Sequence, residues 1–106
     1  MNSTRLEQLQ AFLAESPKDA FLQFAIAKEY ESLGDQEKAL QSYLTLREQQ
    51  ADYVGTYYHL GKLYEALEDF DKAEEVYQAG MEVAKGQGDK HALGELRGAW
   101  EQIAED

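Results

Sequence analysis

The chain contains no cysteine, so disulfide staples, thiolate nucleophiles and cysteine metal ligands are all excluded, and its stability has to come from packing. Positive charge is also scarce. Ten Lys and Arg face 21 Asp and Glu, for a formal charge of -11, and the cations are scattered along the chain. With no basic cluster, a nucleic-acid backbone or an anionic membrane surface would be repelled, so neither is expected as a partner. The two histidines, His59 and His91, lack a second ligand at helical spacing, and no metal site or other cofactor is expected. No apolar run approaches the roughly 18 residues that span a bilayer. The opening MNSTRLEQLQ has neither the basic start nor the apolar core of a signal peptide. A cytoplasmic location is the resulting expectation. The four serines have no His and acid arrangement around them, and no glycine-rich phosphate loop follows a strand, so no catalytic residue is assigned and the protein is read as a non-enzyme.

What is present is a 106-residue chain, 43% apolar and 29% charged, which fits one small folded domain with an acidic surface. Glycine and the single Pro17 punctuate stretches rich in Ala, Leu, Glu, Gln and Lys, which predicts helices between them. Thr4 and Glu7 can form a capping box ahead of Leu6, Leu9 and Leu13, giving a first helix over 4–15. Pro17 suits the start of a second helix that ends at Gly34. A third is expected over 36–50. Asp52 is the expected cap of a fourth, a fifth follows the Glu-Asp-Phe of residues 68–70 and runs to Lys85 and Gly86, and Asp89 caps a sixth. On that last helix Leu93, Leu96, Trp100 and Ile103 form one apolar stripe.

Residues 28–43, KEYESLGDQEKALQSY, align with residues 62–77, KLYEALEDFDKAEEVY, at a displacement of 34, with eight of the 16 positions identical. Lys28, Tyr30, Glu31, Leu33, Asp35, Lys38, Ala39 and Tyr43 recur as Lys62, Tyr64, Glu65, Leu67, Asp69, Lys72, Ala73 and Tyr77. A period of 34 made of two helices and a turn resembles the tetratricopeptide repeat family. The family's large and small positions fall on Tyr57, Leu60, Gly61, Tyr64, Ala73, Tyr77 and Gly80 in the second copy. In the first they fall on Gln23, Ile26, Ala27, Tyr30, Ala39, Tyr43 and Leu46, which departs from the pattern at Gln23 and Leu46. The small residues let paired helices cross closely while the large ones fill the space beside the crossing. Glu68 stands where Gly34 turns freely, so either the backbone there is strained or the turn differs.

The resemblance implies an all-α fold: a short right-handed α-solenoid of antiparallel helix pairs with about six helices. Its parts would be an N-terminal helix over 4–15 resembling the second helix of a repeat, repeats over 20–53 and 54–87, and a capping helix over 89–105. In the N-terminal helix, Leu9 and Phe12 would take the aromatic and small positions. It also implies a protein-recognition scaffold with a concave groove and a protein or peptide partner whose identity the sequence does not carry. The groove-facing positions fall on Phe21, Phe24, Lys28, Glu31 and Ser32, and on Gly55, Tyr58, His59, Lys62, Glu65 and Ala66. Phe24 and Tyr58, edged by Lys28 and Lys62, form an expected ligand seat; the alternative is that Phe21 and Phe24 pack beneath the first helix. The family's clamp for chaperone-tail carboxylates does not fit, because its positions fall on Phe24, Lys28, His59, Asp89 and Leu93, with one cation and one acid. The six acids in residues 65–75 read as a solvated helix junction. Trp100 either seals the end of the fold or serves a second function class, self-association into a weak homodimer.

Overall fold

The structure, a computed structural model, describes residues 4–104. These residues form six helices and no strand, so the fold is all-α. They divide into two compact units, residues 4–50 and 51–104, each taken separately below.

The first unit holds α1 (Thr4–Glu15), α2 (Ala20–Ser32) and α3 (Gln36–Gln49). Helix α2 packs against both of the others. Leu9, Ala25 and Ile26 are buried between α1 and α2, with Leu6, Leu13, Leu22 and Tyr30 against them. Phe12 departs from expectation: the single-residue step from Leu13 turns it away from this contact, and it is 57% exposed. Ala27 and Ala39 are fully buried at the α2 and α3 crossing, beside the fully buried Tyr43 and Leu46. The α2–α3 turn ends on Gly34 at φ +80, with the Asp35 amide donating to the Tyr30 carbonyl at 2.9 Å.

The start of α2 differs from the sequence reading. Pro17 does not open α2; it lies in the preceding turn, and Asp19 caps the helix by accepting from the Leu22 amide at 3.1 Å. Helix α1 keeps the expected bounds of 4–15, and the residue before Thr4 lies outside the described range.

The second unit holds α4 (Gly55–Ala66), α5 (Phe70–Gln87) and α6 (Lys90–Ile103), with α5 packed against both and α4 also touching α6. Asp52 does not cap α4. The helix starts at Gly55 after Val54 with no side-chain cap, and the Asp52 backbone carbonyl instead accepts from Gln87 Nε2 at 2.5 Å. Helix α5 continues through Gly86 and stops at Gly88, whose φ of +67 gives the left-handed residue that a helix end needs. Asp89 then caps α6, as expected, by accepting from the Ala92 amide at 3.0 Å. Helix α6 ends at Ile103; residue 105, the expected limit of the capping helix, is outside the described residues.

Close approach explains the glycines of this unit. A Cβ on Gly61 would lie 2.6 Å from Tyr77 Cζ, and one on Gly80 would lie 2.5 Å from Tyr57 Cβ and 3.1 Å from Leu96 Cδ1. Tyr57, Tyr77 and Leu96 are buried around those two positions. Glu68 does adopt positive φ, at +61, so the turn keeps the geometry of Gly34 and accepts the strain.

Candidate partner-binding site

On α2 Phe21, Phe24 and Lys28 recur at spacings of three and four residues, so they share one side of the helix, the side that also carries Ala25. Phe21 is 63% exposed. Phe24 is half-buried, its ring centred 6.2 Å from that of Tyr43 at 57°. Phe24 thus rests partly on a core tyrosine of α3, whereas Phe21 stays largely exposed. Phe21, Phe24 and Lys28 line an open cleft of about 340 Å³ together with Arg5, Ala25 and Glu29. Arg5 Nε lies 3.3 Å from Glu29, closing one side of the cleft with an ion pair between α1 and α2.

On α4 the corresponding residues form a connected cluster. The His59 ring meets the Tyr58 ring edge-on, with centroids 5.4 Å apart at 83°. Lys62 Nζ stands 5.7 Å from the centre of the Tyr58 ring and 3.7 Å from a Glu65 carboxylate oxygen. Tyr58, His59, Lys62 and Glu65 are all half-buried, so this face offers polar tips and ring edges more than open apolar area.

Glu31 and Glu65 are each attached to a core tyrosine. The Tyr43 hydroxyl donates to Glu31 Oε1 at 2.5 Å, and the Tyr77 hydroxyl donates to Glu65 Oε2. Burial, reinforced by the hydrogen bond and the charge of Glu31, holds the Tyr43 phenol well above the ordinary tyrosine range. Burial and Glu65 do the same to Tyr77, with a further push from Tyr58. Each glutamate is thus oriented from below by a core tyrosine, leaving its other oxygen for a donor.

Sequence reasoning missed Arg5 and Glu29. Their contact joins two helices with no local spacing that could have announced it, and Glu29 reads from sequence as one more solvated acid. Trp100 is half-buried, with its indole Nε1 buried and no acceptor among the described residues, on the side of α6 that also carries the buried Leu96 and Ala99.

Two helices, a three-residue turn with a left-handed position, and small residues under large ones, all recurring at 34, define a helical repeat protein. Residues 22–46 and 54–87 match the tetratricopeptide repeat model, and the chain belongs to that family. It is 32% identical over 91 residues to a TPR repeat-containing protein of Pseudomonas aeruginosa, covering 86% of this chain and 87% of that one. The crystal structure of a tetratricopeptide repeat domain protein from Salinibacter ruber is similar with a TM-score of 0.78 and 41% identity, over 82% of this chain and 97% of that one. PcrH, in complex with the chaperone-binding region of PopD, is similar in fold alone: TM-score 0.84, 22% identity, over 93% of this chain and 75% of that one.

Proposed function

We propose that this protein is a non-catalytic interaction module that holds a peptide or helix of a partner protein, with one subsite on α2 and one on α4. Phe21 carries the reading: a phenylalanine 63% exposed at the mouth of an open cleft, beside a second aromatic and a lysine. Burying such a ring under a partner contributes about 2 kcal/mol or more, whereas leaving it in water serves nothing in the fold. Phe21, Phe24, Lys28 and Glu31 form the first subsite. Tyr58, His59, Lys62 and Glu65 form the second, with the lysines drawing acidic groups and the tyrosine-held glutamates accepting from donors. The partner is an apolar or amphipathic segment. The PcrH structures, solved with the chaperone-binding regions of PopD and PopB, support a family fold put to peptide capture.

Affinity capture with wild type, Phe21→Ala with Tyr58→Ala, and Phe12→Ala in parallel tests this. The double variant should lose the captured partner by roughly tenfold or more at unchanged helicity, and Phe12→Ala, also well exposed but on α1, should retain it. Capture that survives the double variant overturns the assignment. Capture lost on changing Trp100 instead, with a mass that falls from dimer to monomer, would favour self-association through α6.

A further inference from the structure

In the second unit the Tyr57 ring lies over Gly80, and its hydroxyl donates to the Ala51 carbonyl at 2.6 Å. Thirty-four residues earlier the same bond is made by a smaller group: Gln23 Nε2 donates to the Pro17 carbonyl at 2.8 Å, while Leu46 stands where Gly80 would be. The exchange keeps the hydrogen bond and gives up the ring. Two consequences are visible. Gln23 Oε1 is buried with no partner among the described residues, and a cleft of about 540 Å³ opens where α1, α2 and α3 meet.

That volume lies in the range of small-molecule sites, about 300–1,000 Å³. Its chemistry is specific. Leu13, Ile26 and Leu46 supply apolar wall, and α3 adds the uncharged Gln41, Thr45 and Gln49. Among the described residues Lys38 is the one charged member of the lining, placed 5.8 Å from the centre of the Tyr30 ring, which also lines the cleft. On a chain with 21 acids and a net charge of -11, a cleft lined by one cation and no carboxylate selects for a single negative charge beside an apolar body. Nothing in the α2 and α4 subsites overlaps this lining.

We propose that this cleft is a binding site for a small amphipathic monoanion, an apolar body bearing one carboxylate or sulfonate and one hydrogen-bond donor. The anion pairs with Lys38 and the body lies against Leu13 and Ile26. The donor meets the Gln23 oxygen, which otherwise bears the cost of a buried, unsatisfied acceptor.

The probe is 8-anilinonaphthalene-1-sulfonate, which carries all three features, titrated into the full chain and followed by fluorescence. One saturable site is expected, displaced by octanoate at about fivefold lower concentration than by 1-octanol. Lys38→Gln, at an exposed position, should weaken the probe about fivefold and erase that preference. Gln23→Tyr with Leu46→Gly, which installs the pair used by the second unit, should abolish saturable binding with helicity kept. If that double variant loses helicity, Lys38→Gln decides together with probe-induced NMR shifts of the Leu13 and Ile26 methyl groups. Non-saturating binding, binding unchanged in Lys38→Gln, or binding lost in Phe21→Ala and retained in Lys38→Gln would each overturn the proposal.

Discussion

Tyr43 on α3 donates its hydroxyl to Glu31 on α2 at 2.5 Å, and the same bond joins Tyr77 on α5 to Glu65 on α4. The 34-residue period is therefore a period in interactions as well as in letters. The caps recur too, Asp35 accepting from the Lys38 amide and Asp69 from the Lys72 amide, and so do the cations, Lys38 over Tyr30 and Lys72 over Tyr64. Each tyrosine ring fills its helix crossing while its hydroxyl orients a glutamate on the other side of it.

Replacing both tyrosines by phenylalanine should cost about 1 kcal/mol each near neutral pH, read by urea denaturation. The pH dependence has a definite sign. Because the folded-state pKa of each phenol is raised, the stabilisation is fully present below the unfolded tyrosine pKa of about 10 and is lost progressively above it, as unfolded chains deprotonate and folded ones do not. The wild type should lose stability between about pH 9.5 and 11 more steeply than the double variant carrying Tyr43→Phe and Tyr77→Phe. Equal slopes would show that the phenols are not protected.

Glycine substitutions should split by neighbourhood. Gly61→Ala places a Cβ 2.6 Å from Tyr77 Cζ and should destabilise by about 1–3 kcal/mol although alanine favours helix. Gly86→Ala meets open space inside α5 and should stabilise by about 0.5–1 kcal/mol. Thermal melts of the two variants check the opposite signs.

Glu68→Gly should raise stability by about 1 kcal/mol, since the residue already holds φ +61, where only glycine avoids the Cβ clash. Gly34→Ala, at φ +80, should lower it by a similar amount. Chemical denaturation of both, compared at one temperature, tests whether the two turns share one geometry.

The caps make a fourth comparison. Asp19→Ala and Asp89→Ala each remove a side-chain acceptor at a helix start and should cost about 1 kcal/mol. Asp52→Ala should be close to neutral, because its backbone carbonyl, which the substitution keeps, makes the bond to Gln87. Equal losses at Asp52 and Asp89 would restore the cap expected from sequence.

Much of the fold was legible because repeat proteins state each structural unit more than once. The alignment of residues 28–43 on 62–77 carried the helix pairs, their turns, the buried Tyr43 and Tyr77 and the small residues beneath them. The strain at Glu68 could be foreseen for the same reason, since Gly34 shows what the turn requires. Boundaries set by competition between near neighbours were not legible. Asp19 prevailed over Pro17 as the start of α2, and Gly88 over Gly86 as the end of α5, because the outcome turns on which backbone group lies free for the bond.

For the candidate site, the sequence supplied the residue types and their helix faces. It could not divide Phe21 from Phe24, since exposure of the first and partial burial of the second depend on where Tyr43 and α1 stand. Nor could it show Arg5 reaching Glu29, or the cleft left by Gln23 and Leu46, because neither has a partner at local spacing.

The sequence by itself determined an all-α repeat fold, the pairing of helices and the family, because periodic burial of large and small side chains admits few packings. The tertiary structure decided which aromatic stays in water, which glutamate is held by a tyrosine and where volume is left unfilled. Those outcomes are differences between close-packed arrangements of the same residues, and they are settled only when distant side chains meet.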